Sequence, residues 1–267
     1  MPAPIEESAS IAIHPDTIPG RIALTVRDLD RSIEFYTQSL GLTARRIDDN
    51  HARLDAHGYE LIQLHQVPAA RPWPSRGYAG LYHFALLSPT RLGLAHALRR
   101  LVETQTPLEG ASDHGVSEAI YLRDPDGHGI ELYRDRPRSQ WPVADGELQM
   151  VSDPLDLYGI LGELSLENPD WEGVQPGTRM GHVHLHGSDL NAALGFYRDG
   201  LGLSLMQRYG GSALFLAAGQ YHHHLGVNLW AGANVPPPPA DMARLLWYEL
   251  VVPGNVAAIV EQLAAQG

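Results

Sequence analysis

The chain has 267 residues, 44% of them hydrophobic, with a formal net charge of −12 and no cysteine. That length allows two domains with sizeable cores, while the acidity argues against nucleic acid and against an anionic membrane surface, since both need basic patches. No cysteine means no disulfide, no thiolate metal ligand and no cysteine nucleophile; no run of about 18 apolar residues marks a membrane helix, so a cytoplasmic protein is expected. Fourteen histidines, several in strand-like segments, make metal binding the chemistry to test.

Residues 1–19 begin MPAPIEESAS and read as a short disordered arm without the pattern of a signal peptide. From Gly20 the run GRIALTVRDLDRSIEFYTQSLGLTARR predicts an alternating strand and then an amphipathic helix. Asp28 sits at the junction as a helix cap, and Gly41 follows the helix as a C-terminal glycine. From Leu81 the run LYHFALLSPTRLGLAHALRRLVE again predicts strand then helix. Residues 138–178 are acidic and rich in Pro and Gly, with one short helical pattern at Leu155–Leu164, and read as a linker. From Gly181 the run GHVHLHGSDLNAALGFYRDGLGLSLMQR repeats the first, with Asp189 for Asp28 and Gly202 for Gly41. Four prolines at 236–239 form an extended spacer. LLWYELVVPGNVAAIVEQLAAQG, from Leu245, is strand and helix once more.

Short strand-like runs follow each of the first three helices. The repeated unit is therefore βαβββ, an α+β fold of four modules at roughly 20–66, 78–135, 179–230 and 243 onward, the last without its closing strands in this sequence. The expected domains are 20–137 (modules one and two) and 179–267 (module three and the shortened module four).

This repeat, with Asp-Leu after the first strand and Gly-Leu after the helix, resembles the vicinal oxygen chelate superfamily of glyoxalases, bleomycin-resistance proteins and extradiol ring-cleaving dioxygenases. The resemblance covers almost the whole chain from Gly20. It implies paired modules whose curved mixed sheets enclose a metal. The stretch HGVSEAIYLRDPDGHGIELY, residues 114–133, is similar to the extradiol dioxygenase signature. His114, Ile120-Tyr121, Asp124-Pro125, Asp126-Gly127 and Glu131 match it; Ser112, two places before the histidine, departs from it. The chain as a whole looks similar to catechol 2,3-dioxygenases of the CatE type.

The resemblance implies a triad of two histidines and one carboxylate, suited to non-haem Fe(II), with Mn(II) as the alternative. Aligned on the repeat, the ligand position of the first strand holds Arg21, His83, His182 and Trp247 in modules one to four. The last strands offer Glu131 in module two and Asn228 in module three. Pairing modules in sequence order completes no triad. Pairing module two with module three, within one chain or across a dimer, unites His83, Glu131 and His182.

The run YHHHLGVNLW from Tyr221 is the second unusual feature. The family places an acid–base histidine near the start of this strand, and His223 fits its pattern best. Strand alternation puts His222 and His224 on the other side, and a bulge would make His224 the substitute. Histidine titrates near working pH, which suits proton transfer. Tyr121 and His114 resemble the family residues that hydrogen-bond the substrate or assist dioxygen. Phe84, Trp247, Tyr248 and Phe215 are candidate cavity walls, and Pro72-Trp73-Pro74 a candidate nearby loop.

The implied reaction is cleavage of a catechol by O2 beside the diol, giving a hydroxymuconic semialdehyde. The expected partners are that small substrate and O2, with self-association at spare module edges. The sequence is also compatible with a glyoxalase-like metal isomerase or lyase, or with a metal-free small-molecule binding protein of the resistance type.

Overall fold

The computed structural model describes residues 12–144, 147–164, 171–254 and 256–265. The first eleven residues of the expected N-terminal arm lie outside the described residues. Of the rest of that arm, Ile13 is buried in a core cluster, and its N–H donates to the Gly202 carbonyl.

Module one comprises β1 (Ile18–Val26), α1 (Leu29–Gln38), β2 (Thr43–Arg46), β3 (His51–Ala56) and β4 (Tyr59–Gln66). Module two comprises β5 (Gly80–Leu87), α2 (Arg91–Glu103), β6 (Leu108–Asp113), β7 (Ser117–Arg123) and β8 (Gly129–Asp135). The linker carries a single 3₁₀ turn, the short strands β9 (Val143–Ala144), β10 (Glu147–Leu148) and β11 (Asp153–Pro154), and α3 (Leu157–Leu161). Module three has β12 (Arg179–His186), α4 (Leu190–Leu194) running on into a π-helical turn, β13 (Ser204–Tyr209), β14 (Ala213–Ala217) and β15 (Leu225–Asn228). Module four has β16 (Leu245–Val251) and α5 (Val256–Ala265).

The helix ends follow from their residues. The Asp28 carboxylate accepts from the Arg31 N–H to cap α1, and Asp189 accepts from the amides of Asn191 and Ala192 to cap α4. Gly41 and Gly202 both take positive φ after their helices, a conformation glycine adopts without a Cβ clash.

Two mixed sheets result. One has five strands in the order β16-β1-β4-β3-β2 and so joins module one to module four. The other has nine, in the order β11-β6-β7-β8-β5-β12-β15-β14-β13, and joins module two to module three within one chain. The seam is the antiparallel pair β5–β12. Strand alternation sorts the side chains of this sheet. Phe84, Leu86, Ile120, Leu122, Ile130, Leu132 and Val183 enter the main core, together with Leu94 and Leu98 of α2. Their neighbours His83, Tyr121, Glu131 and His182 point to the opposite face.

The Asp124-Pro125-Asp126-Gly127 turn between β7 and β8 docks onto module one. Asp124 is buried; its Oδ1 accepts from the amides of Asp126 (2.9 Å) and His128 (2.8 Å), and its Oδ2 from the Tyr36 hydroxyl of α1 (3.0 Å). Asp126, fully buried, accepts from the Arg27 amide at 2.9 Å and pairs with the Arg31 guanidinium at 2.5 Å. Gly127 has φ +93°, and a Cβ there would sit 2.4 Å from the Trp73 carbonyl oxygen, so the turn accepts only glycine without rearrangement. Because Asp124 satisfies three buried donors, Asp124→Ala is expected to lower unfolding free energy by about 2 kcal/mol or more, measured by denaturant titration.

Candidate metal centre

Three atoms meet on the open face of the nine-stranded sheet. Glu131 Oε2 lies 3.0 Å from His83 Nε2 and 3.0 Å from His182 Nε2, and the two nitrogens are 3.3 Å apart. All three residues are buried, and no other group of three or more His, Asp or Glu among the described residues is close enough to hold a metal. The sheet register produces this meeting. One row across the strands reads Tyr121, Glu131, Ala85, His182. Ala85 has only a methyl group, so Glu131 and His182 lean toward each other above it. His83 stands in the adjacent row beside Gly129, where a Cβ would come within 2.0 Å of the Tyr82 carbonyl oxygen.

The donor set fits a divalent cation. Metal–ligand bonds of about 2.1 Å at right angles place neighbouring donor atoms about 3.0 Å apart, the spacing of one face of an octahedron. Burial pushes the Glu131 carboxyl up, but His182 and then His83 outweigh it and hold the group well below the ordinary carboxylate range. Burial pulls His83 below the ordinary histidine value, offset only in part by Glu131. No Lys or Arg pairs with Glu131 among the described residues. A buried carboxylate without a fixed cation, flanked by a burial-neutralised imidazole, is in the protonation state that metal binding needs. His182 Nδ1 is buried without a hydrogen-bond partner, so no other residue commits that ring to a competing role.

The triad borders a cavity of about 260 Å³, with His83 and Glu131 on its surface. Tyr121, His114 and His223 line the same cavity. His114 Nδ1 donates to the Val151 carbonyl at 2.6 Å, which leaves its Nε2 to accept from the Tyr121 hydroxyl at 2.6 Å. Burial, followed by the charge of Glu131, raises the Tyr121 hydroxyl well above the usual tyrosine range and keeps it protonated. The His223 ring lies 4.1 Å from His182 and 4.8 Å from Phe215, centroid to centroid. Burial first, then the neighbouring His182 and His222, holds its pKa well below the ordinary value. His224 turns away; its Nδ1 accepts from the Ala218 amide, and its ring stacks on Tyr221.

Of the four candidate walls, Phe215 lines the cavity. Phe84 is fully buried in the main core, while Trp247 and Tyr248 lie on β16 in the other sheet. Trp73 packs on Gly80 and the signature turn, also away from the cavity. Sequence reasoning missed His184 and Trp230, both in the cavity wall. The period of two from His182 carried the signal for His184. Met150, Val151 and Ser152 also line the cavity, although they belong to the linker and carry no such signal.

A family model described as the Glyoxalase/Bleomycin resistance protein/Dioxygenase superfamily matches residues 18–132 and 179–267. The chain belongs to this superfamily. A curated relative from Bacillus subtilis (strain 168), named catechol-2,3-dioxygenase, is 45% identical over 245 residues, covering 91% of this chain and 85% of the relative. Among solved structures, glyoxalase I from Zea mays superposes with TM-score 0.52 at 15% identity, covering 94% of this chain and 79% of its own. A Bacillus subtilis structure superposes with TM-score 0.55 at 13% identity, covering 97% of this chain and 76% of its own. At those identities the structural likeness carries the superfamily fold alone.

Two outcomes follow from the site. His83→Ala and His182→Ala are each expected to weaken divalent metal retention by about 100-fold or more, read as metal content after dialysis. Burial lowers the pKa of His83, His184, His186 and His223, so the folded state binds fewer protons than the unfolded one. Stability of the metal-free chain is therefore expected to fall as pH drops through about 6.5, the ordinary histidine value, and to be full above it; thermal melts from about pH 8 to about pH 5 check this.

Proposed function

We propose that this protein is an extradiol dioxygenase, opening the ring of a catechol beside its diol with O2 and Fe(II) held by His83, His182 and Glu131. The observation that carries the reading is the convergence of three donor atoms at a cavity that also receives Tyr121, His114 and His223. The relative named catechol-2,3-dioxygenase, which matches over most of both chains, supports it. Bound in the triad, the iron would supply a Lewis acid for the two catechol oxygens and an electron path between ring and dioxygen.

The chain's own groups have defined tasks in this reading. Glu131 supplies one negative charge to the site, and burial disfavours a charge on His83. Tyr121 donates its hydrogen bond to His114, so its oxygen is left to accept from a substrate hydroxyl and orient the ring. His223 takes a catechol proton and returns one as the ring opens. Phe215, Trp230 and Met150 provide apolar walls, and no Lys or Arg lines the cavity among the described residues. Such walls suit a neutral ring and disfavour a carboxylated one, whose charge would be buried unpaired. A glyoxalase-like reaction would make no use of the His114–Tyr121 pair.

The test is incubation of the iron-loaded protein with catechols in air. A yellow ring-fission product is expected from catechol and alkyl catechols, with kcat/KM at least about tenfold lower for carboxylated ones. Tyr121→Phe is expected to retain iron and lose about 100-fold in kcat. An iron-loaded protein that leaves every catechol unchanged would sink the proposal.

A further inference from the structure

Behind the cavity lies a chain of polar groups that the reaction as described does not use. His222 is fully buried. Its Nε2 lies 2.8 Å from Asp135 Oδ1, and its Nδ1 lies 2.8 Å from His223 Nδ1. Asp135 also accepts from the Tyr221 hydroxyl at 2.9 Å, and Tyr221 in turn meets the Tyr133 hydroxyl at 2.9 Å. Neighbouring side chains in a strand point to opposite faces. Here residue 222 sits in a bend just before β15, which lets the rings of His222 and His223 meet edge to edge.

The donors and acceptors can be assigned from the carboxylate outward. An ionised carboxylate only accepts, so His222 carries its proton on Nε2. A neutral His222 then has a bare Nδ1, which can only accept. The partner nitrogen, His223 Nδ1, must therefore carry a proton. That leaves His223 Nε2 bare, and no residue among those described hydrogen-bonds to it, while the ring faces the cavity. A carboxylate hydrogen-bonded to one nitrogen of an imidazole commonly fixes its tautomer in this way.

We infer that Asp135 and His222 are positioning residues that hold His223 in the Nδ1–H tautomer, with Nε2 presented to the cavity as a proton acceptor. The tautomer stands independently of any substrate; its effect on turnover rests on the dioxygenase reading. The reverse order, with His222 donating from Nδ1, needs a second proton on His222 and would put a proton on His223 Nε2.

Two measurements separate these cases. Nitrogen-15 NMR of the metal-free wild-type protein is expected to report His223 protonated at Nδ1. The same spectrum of Asp135→Ala is expected to report a mixture of tautomers. A wild-type His223 protonated at Nε2 would overturn the inference, and an unchanged Asp135→Ala spectrum would remove Asp135 from it. The second measurement compares His222→Asn with His222→Leu in the iron-loaded enzyme acting on catechol. The two side chains are alike in shape, and only Asn offers an oxygen near the place of Nδ1. With KM unchanged in both, Asn is expected to keep kcat within about threefold of wild type and Leu to lose about tenfold or more. Equal kcat in the two variants would count against the positioning role of His222, whatever their stability. Should the wild type turn over no catechol, the proposed function fails while the NMR result still decides the tautomer.

Discussion

The antiparallel pairing of β5 with β12 is the contact on which the site depends. It joins strands about a hundred residues apart and sets His83 opposite His184 and His182 opposite Ala85. The parallel pair β5–β8 then puts Glu131 beside Ala85. Each ladder has its own register, and the three donor atoms meet only when both registers hold together. A slip of one residue in either would turn one of the three donors to the core face. Small residues complete the arrangement: Ala85 leaves room between Glu131 and His182, and Gly226, the partner of His184, lies flat against its ring.

The second sheet solves the same electrostatic problem differently. At the position in module one that corresponds to His83, Arg21 reaches Glu249 of β16 at 2.6 Å and Glu60 of β4 at 3.2 Å. A guanidinium supplies the positive charge there as part of the chain. In the sheet of modules two and three, Glu131 has no such partner, and its neighbours are the imidazoles of His83 and His182. One pair of modules thus holds a fixed ion pair, while the other presents an anionic donor set suited to a cation. The first pair still serves the second, because Tyr36 and Arg31 of α1 hold the turn that delivers β8 and Glu131.

Polar groups on the open face are ordered by hydrogen-bond partners farther out. The Val151 carbonyl sets the tautomer of His114, and Asn228 joins His184 to His186 through its amide. His114 and His184, which face the cavity, are thereby restricted in which nitrogen they can offer. Burying so many rings is tolerable because most of them find a partner, as unpaired buried polar groups are costly.

Much of this was legible in the sequence because it is written between near neighbours. Helix caps at Asp28 and Asp189, the glycines ending the helices, the strand alternation and the βαβββ repeat all depend on residues within a few positions of each other. His114, Tyr121 and Glu131 lie within one hairpin and share its pattern; His83 and His182 came from aligning the repeat. The linker residues Met150 and Val151 in the cavity wall carried no periodic signal, and the bend at His222 broke the period that would have placed its ring. The count of ligands pointed to modules two and three as partners, but whether they pair within one chain was left to the tertiary structure, because strand pairing over such separations depends on the fit of whole faces rather than on any short stretch. Local chemistry determined which residues could serve a metal; the register of β5 against β12 and β8 decided that three of them meet.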